Sequence, residues 1–482
     1  MRTSFARKVD LAISLVEDTD SYKPSHFLLY PDDMEYMESY LEARGGEYDS
    51  CTLFGLQYII HRYLAKPVTL ADIEEMKADM EQHGEPFNYE GWLHILHHYH
   101  GRLPVTIRAI PEGTIVPVKN AIMIVRSPRD PKCAWITNWL ETMLSRVWYP
   151  STVLIASREI KKVWKHFLDL TSDTPEEIVF KHHDFGSRGV TCREQAMLGG
   201  AAHLAAGFLG SDTLAGVKTA NHYYDCPMAG FSIPATEHST MTIFGEEHEE
   251  ETVIRWVMKT LVERQLPPGI PKLAACVGDS WNIFRFAQMV SNRRGRIHDL
   301  VKNSGGTLVI RPDSGSPVPT LLRILGILEQ ELGDEVYVNK KGYKVLPAFF
   351  RLIWGDGINR RSMREILQAI TDAGWSASNL AFGSGGGLLM DFNRDTQKFA
   401  FKLCAAIVGG KLRKVSKNPV TDQGKKSKEG RLDLIRVPGG YKTVVLDDGV
   451  DEDPDSVLVT PYDMGEITYN TTLEEVRARA AI

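Results

Sequence analysis

Arg311 and Asp313 stand two residues apart in the run Leu-Val-Ile-Arg-Pro-Asp-Ser-Gly-Ser, Leu308 to Ser316. A guanidinium suits a phosphate, which it holds through paired hydrogen bonds, and a carboxylate suits a sugar hydroxyl or a metal-bound water. The apolar, β-branched Leu308–Ile310 reads as a buried strand. It stops at Pro312, which has no N–H for a ladder, and Gly315 permits a tight turn before the helical spacing of Val318, Leu321, Leu322 and Leu325. The charged pair therefore sits where a buried strand meets solvent, which in parallel α/β folds is the ligand-binding end. A turn with a structural Arg–Asp pair is the alternative.

The elements that would position this chemistry repeat along the chain. From about residue 176, strand candidates Ile178–Lys181, Phe231–Pro234, Leu273–Val277, Leu308–Ile310, Phe350–Trp354 and Asn379–Phe382 alternate with helical patterns. Those patterns are Arg193–Ala206, Glu247–Leu261, Trp281–Val290, Pro319–Leu332 and Ser362–Ala373. Such alternation predicts a parallel sheet, and this many units favour a (β/α) barrel over an open sheet. Each strand candidate ends in a polar or glycine cluster. In order these are His183-Asp184-Phe185-Gly186-Ser187-Arg188-Gly189, Glu237-His238-Ser239-Thr240, Gly278-Asp279-Ser280, the Arg311 run, Gly355-Asp356-Gly357 and Gly383-Ser384-Gly385-Gly386-Gly387. On a barrel they would share one face and converge on one pocket.

Each cluster also admits a structural reading. His238 could be a buried, satisfied imidazole, Asp279 a helix N-cap, and Arg188 the partner of Asp184. Gly383–Gly387 could be a turn, although its consecutive N–H groups could equally cradle a phosphate. Neither zinc-ligand spacing nor His-Glu-x-x-His nor a Walker-type loop occurs, and Gly385 stands where a hydrolase elbow needs a serine. What remains is a polyphosphorylated sugar substrate, with Mg²⁺ bridging carboxylates and phosphates.

The 482 residues suffice for two domains or one large barrel with additions. A formal charge of −6 gives no reason to expect nucleic acid or an anionic membrane. Six scattered cysteines without a Cys-x-x-Cys pair fit a reducing cytoplasm. The basic start (Arg2, Arg7, Lys8) is broken by Asp10 and Glu17 too soon for a signal peptide, and no apolar run spans a membrane. Residues 1–175 read as a mixed α+β segment. Leu53–Leu64 and Ile73–Gln82 have helical spacing, and Trp135–Trp148 reads as an amphipathic helix closed by Pro150. Residues 176–394 are the barrel-like domain. Residues 395–482 return to antiparallel-looking strands, a basic loop from Lys411 to Arg431 and an acidic turn, expected to pack with the N-terminal segment.

The clusters, with Asp20-Ser21-Tyr22-Lys23 before them, closely resemble the nicotinamide phosphoribosyltransferase family, from about Asp18 to Arg431 in unbroken order. The resemblance implies a type II phosphoribosyltransferase with an irregular (β/α) barrel and a composite α+β domain. It implies transfer from 5-phosphoribosyl-1-pyrophosphate to nicotinamide, assisted by Mg²⁺ and ATP, in a cytoplasmic homodimer with active sites at the subunit interface. Position by position, Phe185 and a second subunit's Tyr22 would sandwich the pyridine ring, and Asp212 would accept a hydrogen bond from the carboxamide. Arg188 and Arg311 would clamp the pyrophosphate, and Asp313 and Asp356 would bind the ribose. Gly355, Gly385, Gly386 and Arg394 would hold the 5′-phosphate. His238 would be the phosphorylated residue, with Asp279 beside it and the Mg²⁺. Arg44, Lys417 and Lys425 would reach phosphates from the neighbouring subunit, although a solvated basic loop is the rival reading for the lysines. Ser187 departs from the tyrosine of vertebrate members.

Three rivals stand beside this expectation. One is nicotinate phosphoribosyltransferase, which Asp212 argues against because it would repel a carboxylate. Another is a catalytically silent binding protein on the same scaffold. The third is a phosphate-binding barrel of aldolase or isomerase type, which would want a lysine or glutamate at a strand end.

Overall fold

The computed structural model describes residues 14–267, 269–421, 426–447 and 449–482. Arg2, Arg7, Lys8, Asp10 and Lys425 lie outside them. The chain forms two compact units: one takes the described residues up to Thr152 with Arg394–Arg479, the other Val153–Asn393 with Ala480–Ile482.

The first unit is built on an antiparallel sheet of seven strands. Its spatial order is Lys411–Lys414, Phe399–Val408, Met34–Ala43, Ala121–Arg126, Thr106–Ala109, Val459–Asp463 and Glu466–Ile467. The long central pairing joins an N-terminal strand to a C-terminal one, Met37 opposite Ala406 and Leu41 opposite Phe401, so the two ends of the chain make one α+β domain. Beside the sheet, Trp92, Trp135 and Trp139 meet edge to face at 5.2–5.5 Å, each under 7% exposed, so these rings are core. The expected continuous helix Trp135–Trp148 is not formed. Short turns at Ile136–Trp139 and Glu141–Ser145 precede a 24-residue helix, Trp148–Thr171, with Pro150 in its first turn. Proline lacks only an N–H that has no intrahelical acceptor there, so Pro150 opens a helix rather than closing one.

The second unit carries a parallel sheet ordered Gly210–Ser211, His182–Asp184, Leu380–Ser384, Phe350–Trp354, Thr307–Arg311, Leu273–Val277. Its two edges are joined by residues 231–236. The Phe231 N–H donates to Leu209 O and the Ser211 N–H to Phe231 O, at 2.7 and 3.0 Å. On the other side the Ala275 N–H donates to Pro234 O and the Thr236 N–H to Ala275 O, at 2.8 and 3.1 Å. Read around the ring, the strands follow chain order, the signature of a (β/α) barrel. Sequence periodicity locates Leu273–Val277 and Phe350–Trp354 to the residue, but misplaces others. Ile178–Lys181 falls largely on a 3-10 turn, Pro175–Phe180, because proline at its first position and two following glutamates favour a helical start. The strand is His182–Asp184 instead. Phe231–Pro234 is not a regular strand, since Pro234 cannot donate, and the two-residue Gly210–Ser211 strand is too short to show a period.

The unit boundary lies at Val153, not near residue 175. The reason is packing: Trp164 lies against Phe382 at 5.1 Å, and Thr171 Oγ1 accepts the Ala377 N–H at 2.9 Å.

Behind the sheet His203 stacks on Phe208 at 4.9 Å and hydrogen-bonds Ser157 Oγ at 3.1 Å, with His182 5.9 Å away. Burial holds the His203 imidazole down to about 3 and His182 well below the usual 6.5. Unfolded histidines take up protons below about 6.5 while these do not, so their contribution to stability is lost as pH falls. Burial pushes the Asp184 carboxyl up to about 6, which acts in the opposite sense between that value and the unfolded one. His182→Leu is expected to reduce the acid loss of stability by about 1.4 kcal/mol per pH unit below pH 6, the effect of one proton. Urea midpoints between pH 7 and 4 check this; parallel slopes for both proteins would refute it.

Candidate active site

Residue alternation along the strands decides what enters the barrel. Leu308, Ile310, Leu352, Leu380 and Phe382 are buried on the outer face, while Ala275, Val309 and Ile353 form a lumen cluster with Phe185, Leu273 and Ala381 packed on it. Two residues beyond Val309 on the same face is Arg311, and two beyond Ile353 and Ala381 are Gly355 and Gly383. The same step leads from Ala275 through Val277 to Asp279. The strand-end clusters thus share one end of the barrel because they continue the inward face of parallel strands.

Five polar groups meet there. His238 Nε2 lies 3.6 Å from Asp279 Oδ1 and 3.9 Å from Asp313 Oδ2, and its Nδ1 is 3.2 Å from Ser280 Oγ. Asp313 Oδ2 is 3.8 Å from the Arg311 guanidinium, and the Asp313 N–H donates to Asp279 Oδ2 at 3.1 Å. The structural alternatives for His238, Asp279 and Arg188 are not met. The His238 side chain is 47% exposed rather than buried. The next helix, Ile283–Ser291, is capped by Asn282, not Asp279. The Asp184 carboxylate accepts the Gly186 N–H at 2.7 Å, and no described carboxylate pairs with Arg188, which is exposed. Arg311 Nε and Asp279 Oδ1 are buried without a hydrogen-bond partner. A free donor suits an anion, and a free carboxylate oxygen suits a hydroxyl or a hard cation. Burial raises the Asp313 carboxyl, with Arg311 opposing and Asp279 and Asp356 reinforcing.

The floor beside this cluster is the Phe185 ring. A β-carbon on Gly383 would lie 1.9 Å from Phe185 Cε2, and one on Gly355 would lie 3.3 Å from both that atom and Asp313 Oδ1. The ring takes this seat because Gly383 carries no side chain, and Gly355 leaves it room. Around it, Gly189 packs close to the backbone of Gly386, where the glycine run opens the short helix Gly386–Leu389. Asp212, exposed between the buried Ser211 and Thr213, has its N–H donating to Asp184 O at 2.9 Å and its carboxylate accepting from Ser232 Oγ. Asp356 is exposed at the end of its strand. Ser280 and Ser232, which orient His238 and Asp212, have no role that sequence alone assigns; only their neighbours in Gly278-Asp279-Ser280 and the 231–234 segment hint at them.

Other expected site residues belong to the antiparallel unit. Tyr22 is 57% exposed before the 3-10 turn Lys23–Leu28. Arg44 Nε donates to Glu42 at 2.9 Å, and its Nη2 is buried without a partner. Lys417 is exposed, its backbone bonded both ways to Ser427. Arg394 is exposed in the turn Arg394–Thr396.

The chain matches the profile of the nicotinate phosphoribosyltransferase (NAPRTase) family over residues 180–460, and that of the nicotinamide phosphoribosyltransferase N-terminal domain over residues 14–107. A nicotinamide phosphoribosyltransferase of Xanthomonas campestris is 46% identical over 97% of this chain and 98% of its own. One from Acinetobacter baylyi is 31% identical over 96% of each. Among solved structures, a nicotinate-nucleotide pyrophosphorylase from Pyrococcus furiosus superposes with a TM-score of 0.58 at 15% identity, over 100% of this chain and 97% of that one. Human nicotinic acid phosphoribosyltransferase does so with 0.56 at 16% identity, over 96% and 92%. At these identities the structural likeness concerns the fold.

Proposed function

The chain belongs to the nicotinate phosphoribosyltransferase family, and from that membership we propose that it transfers phosphoribose from 5-phosphoribosyl-1-pyrophosphate to nicotinamide. The products are nicotinamide mononucleotide and pyrophosphate, and the reaction serves NAD salvage. The observation that carries the reading is the meeting of Arg311, Asp313, Asp279 and His238 beside an aromatic floor at one end of a parallel barrel.

The chemistry follows from charge. The bond from ribose C1 to pyrophosphate breaks with its electron pair leaving on oxygen, and the pyridine nitrogen forms the new bond to C1. That nitrogen carries no proton, so no general base is required. Arg188 and Arg311 bind the departing pyrophosphate. Asp313 and Asp356 hold the ribose hydroxyls and favour a cationic sugar, while Phe185, with Tyr22 from a second copy of the chain, holds the ring in line. Gly355, Gly385, Gly386 and Arg394 receive the 5′-phosphate. Asp279 and Asp313 supply oxygen donors suited to Mg²⁺, which when bound neutralises pyrophosphate charge. ATP assistance would run through phosphorylation of His238, with Arg44, Lys417 and Lys425 of the second copy on its phosphates. The enzyme in this reading is a cytoplasmic homodimer; all six cysteines are free thiols, and no described helix is long and apolar enough to cross a membrane.

The test is product formation with nicotinamide or nicotinate, with Mg²⁺, with and without ATP. Selective nicotinamide mononucleotide synthesis, faster with ATP and no longer accelerated by it in His238→Ala, is expected. Turnover of nicotinate alone would assign the sister activity instead, and turnover of neither would leave a silent scaffold. Asp212→Ser is expected to narrow the preference for nicotinamide over nicotinate by at least about tenfold in kcat/KM, because it removes a carboxylate that repels the acid. An unchanged ratio would remove Asp212 from the specificity site.

A further inference from the structure

Within the antiparallel unit, the helix Tyr89–His98 faces the turn that begins at Asp130. His94 Nε2 lies 2.7 Å from Asp130 Oδ2, and the ligand atoms of His94, Asp130 and Cys133 all lie within 4.8 Å of one another. The turn is preset: the Cys133 N–H donates to Asp130 O at 3.1 Å, and the Lys132 N–H to Asp130 Oδ1 at 3.0 Å. Asp130 Oδ2 also accepts from the Tyr99 hydroxyl at 2.9 Å, and the His98 ring stacks on His94 at 5.0 Å. Cys133 is fully buried, whereas His94 lines an open cavity of about 870 Å³ together with Lys132 and Trp135. None of these groups belongs to the phosphoribosyl site.

We propose that His94, Asp130 and Cys133 bind a divalent transition metal of borderline softness, of which Zn²⁺ is the type. One imidazole nitrogen, one carboxylate oxygen and one thiolate sulfur make the mixed N, O, S donor set that such ions select over Mg²⁺ or Ca²⁺. Three protein ligands leave a fourth position for water on the cavity side. On binding, the His94–Asp130 hydrogen bond is replaced by two coordinate bonds, the imidazole proton resides on Nδ1, and the Cys133 thiol proton goes to solvent. Tyr99 and the Lys132 N–H are the outer partners that keep the carboxylate oriented. The ion would pin the 130–133 turn to the helix at the wall of the cavity.

The experiment is Co²⁺ titration of the chelator-stripped, reduced full chain in a Cys192→Ser background, so that the exposed thiol adds nothing. A near-ultraviolet thiolate-to-cobalt charge-transfer band that saturates at one thiolate-bound Co²⁺ per chain, and its loss on adding stoichiometric Zn²⁺, are expected. Cys133→Ser should abolish the band, and Tyr99→Phe should weaken binding about 10–100-fold while leaving it. Absence of the band in the unmutated triad, or its survival in Cys133→Ser, would overturn the site. If Cys133→Ser does not fold, His94→Asn decides on the same criterion: an unchanged affinity refutes the proposal.

Discussion

Asp313→Asn is expected to lower kcat/KM about 100- to 1000-fold, the loss typical of removing one group aimed at transition-state charge. The substitution is isosteric, and the backbone N–H of residue 313 can still donate to Asp279 Oδ2, so the loop geometry should persist. What disappears is the negative charge placed between the Arg311 guanidinium at 3.8 Å and His238 at 3.9 Å. Steady-state kinetics with both substrates varied, beside a circular dichroism melt, measures it. A loss smaller than about threefold with the fold intact would mean that Asp313 does not face the reacting sugar. Burial, with Asp279 and Asp356, holds the Asp313 carboxyl above its ordinary range against Arg311. Activity of the native chain should therefore fall on the acid side as this group protonates, at higher pH than an unperturbed aspartate would.

Gly383→Ala should raise the KM for nicotinamide about 100-fold, the cost of misplacing a positioning group by about an ångström. Its new methyl would lie 1.9 Å from Phe185 Cε2 and 2.1 Å from Cδ2, so the ring must leave its seat. Gly383 is not among the positive-φ glycines, so alanine meets no backbone penalty and the effect is one of ring position. Gly355→Ala, whose methyl would sit 3.3 Å from the same ring atom and from Asp313 Oδ1, asks the ring to give by only a few tenths of an ångström, and its effect on the KM for nicotinamide should be about a few-fold. Equal KM values for Gly383→Ala and the native chain would show that the ring is not the nicotinamide floor.

Much of the barrel was legible because its signals are local. Leu273–Val277 and Phe350–Trp354 announce themselves through apolar runs, and the helix Arg360–Asp372 through the helical spacing from Ser362 to Ala373. Their polar ends, and the family they resemble, are written in contiguous residues such as Arg311-Pro312-Asp313. Two of the misreadings lie beside a proline. Pro150 and Pro175 each open a helical segment, and a proline marks a helix start or a helix end until the neighbouring packing is known.

Tertiary structure alone decided what lies beside what. The ring is completed by residues 231–236, which hydrogen-bond to strands on either side without forming a regular strand, a long-range pairing invisible to periodicity. It also decided that Asp279 accepts from residue 313 instead of capping its own helix, and that Phe185 rests on Gly383 from a strand almost two hundred residues later. The approach of His94 to Asp130 and Cys133 is of the same kind. Local order follows from side-chain period and turn chemistry within a few residues, whereas a site is assembled by hydrogen-bond register and close packing between segments distant in the chain.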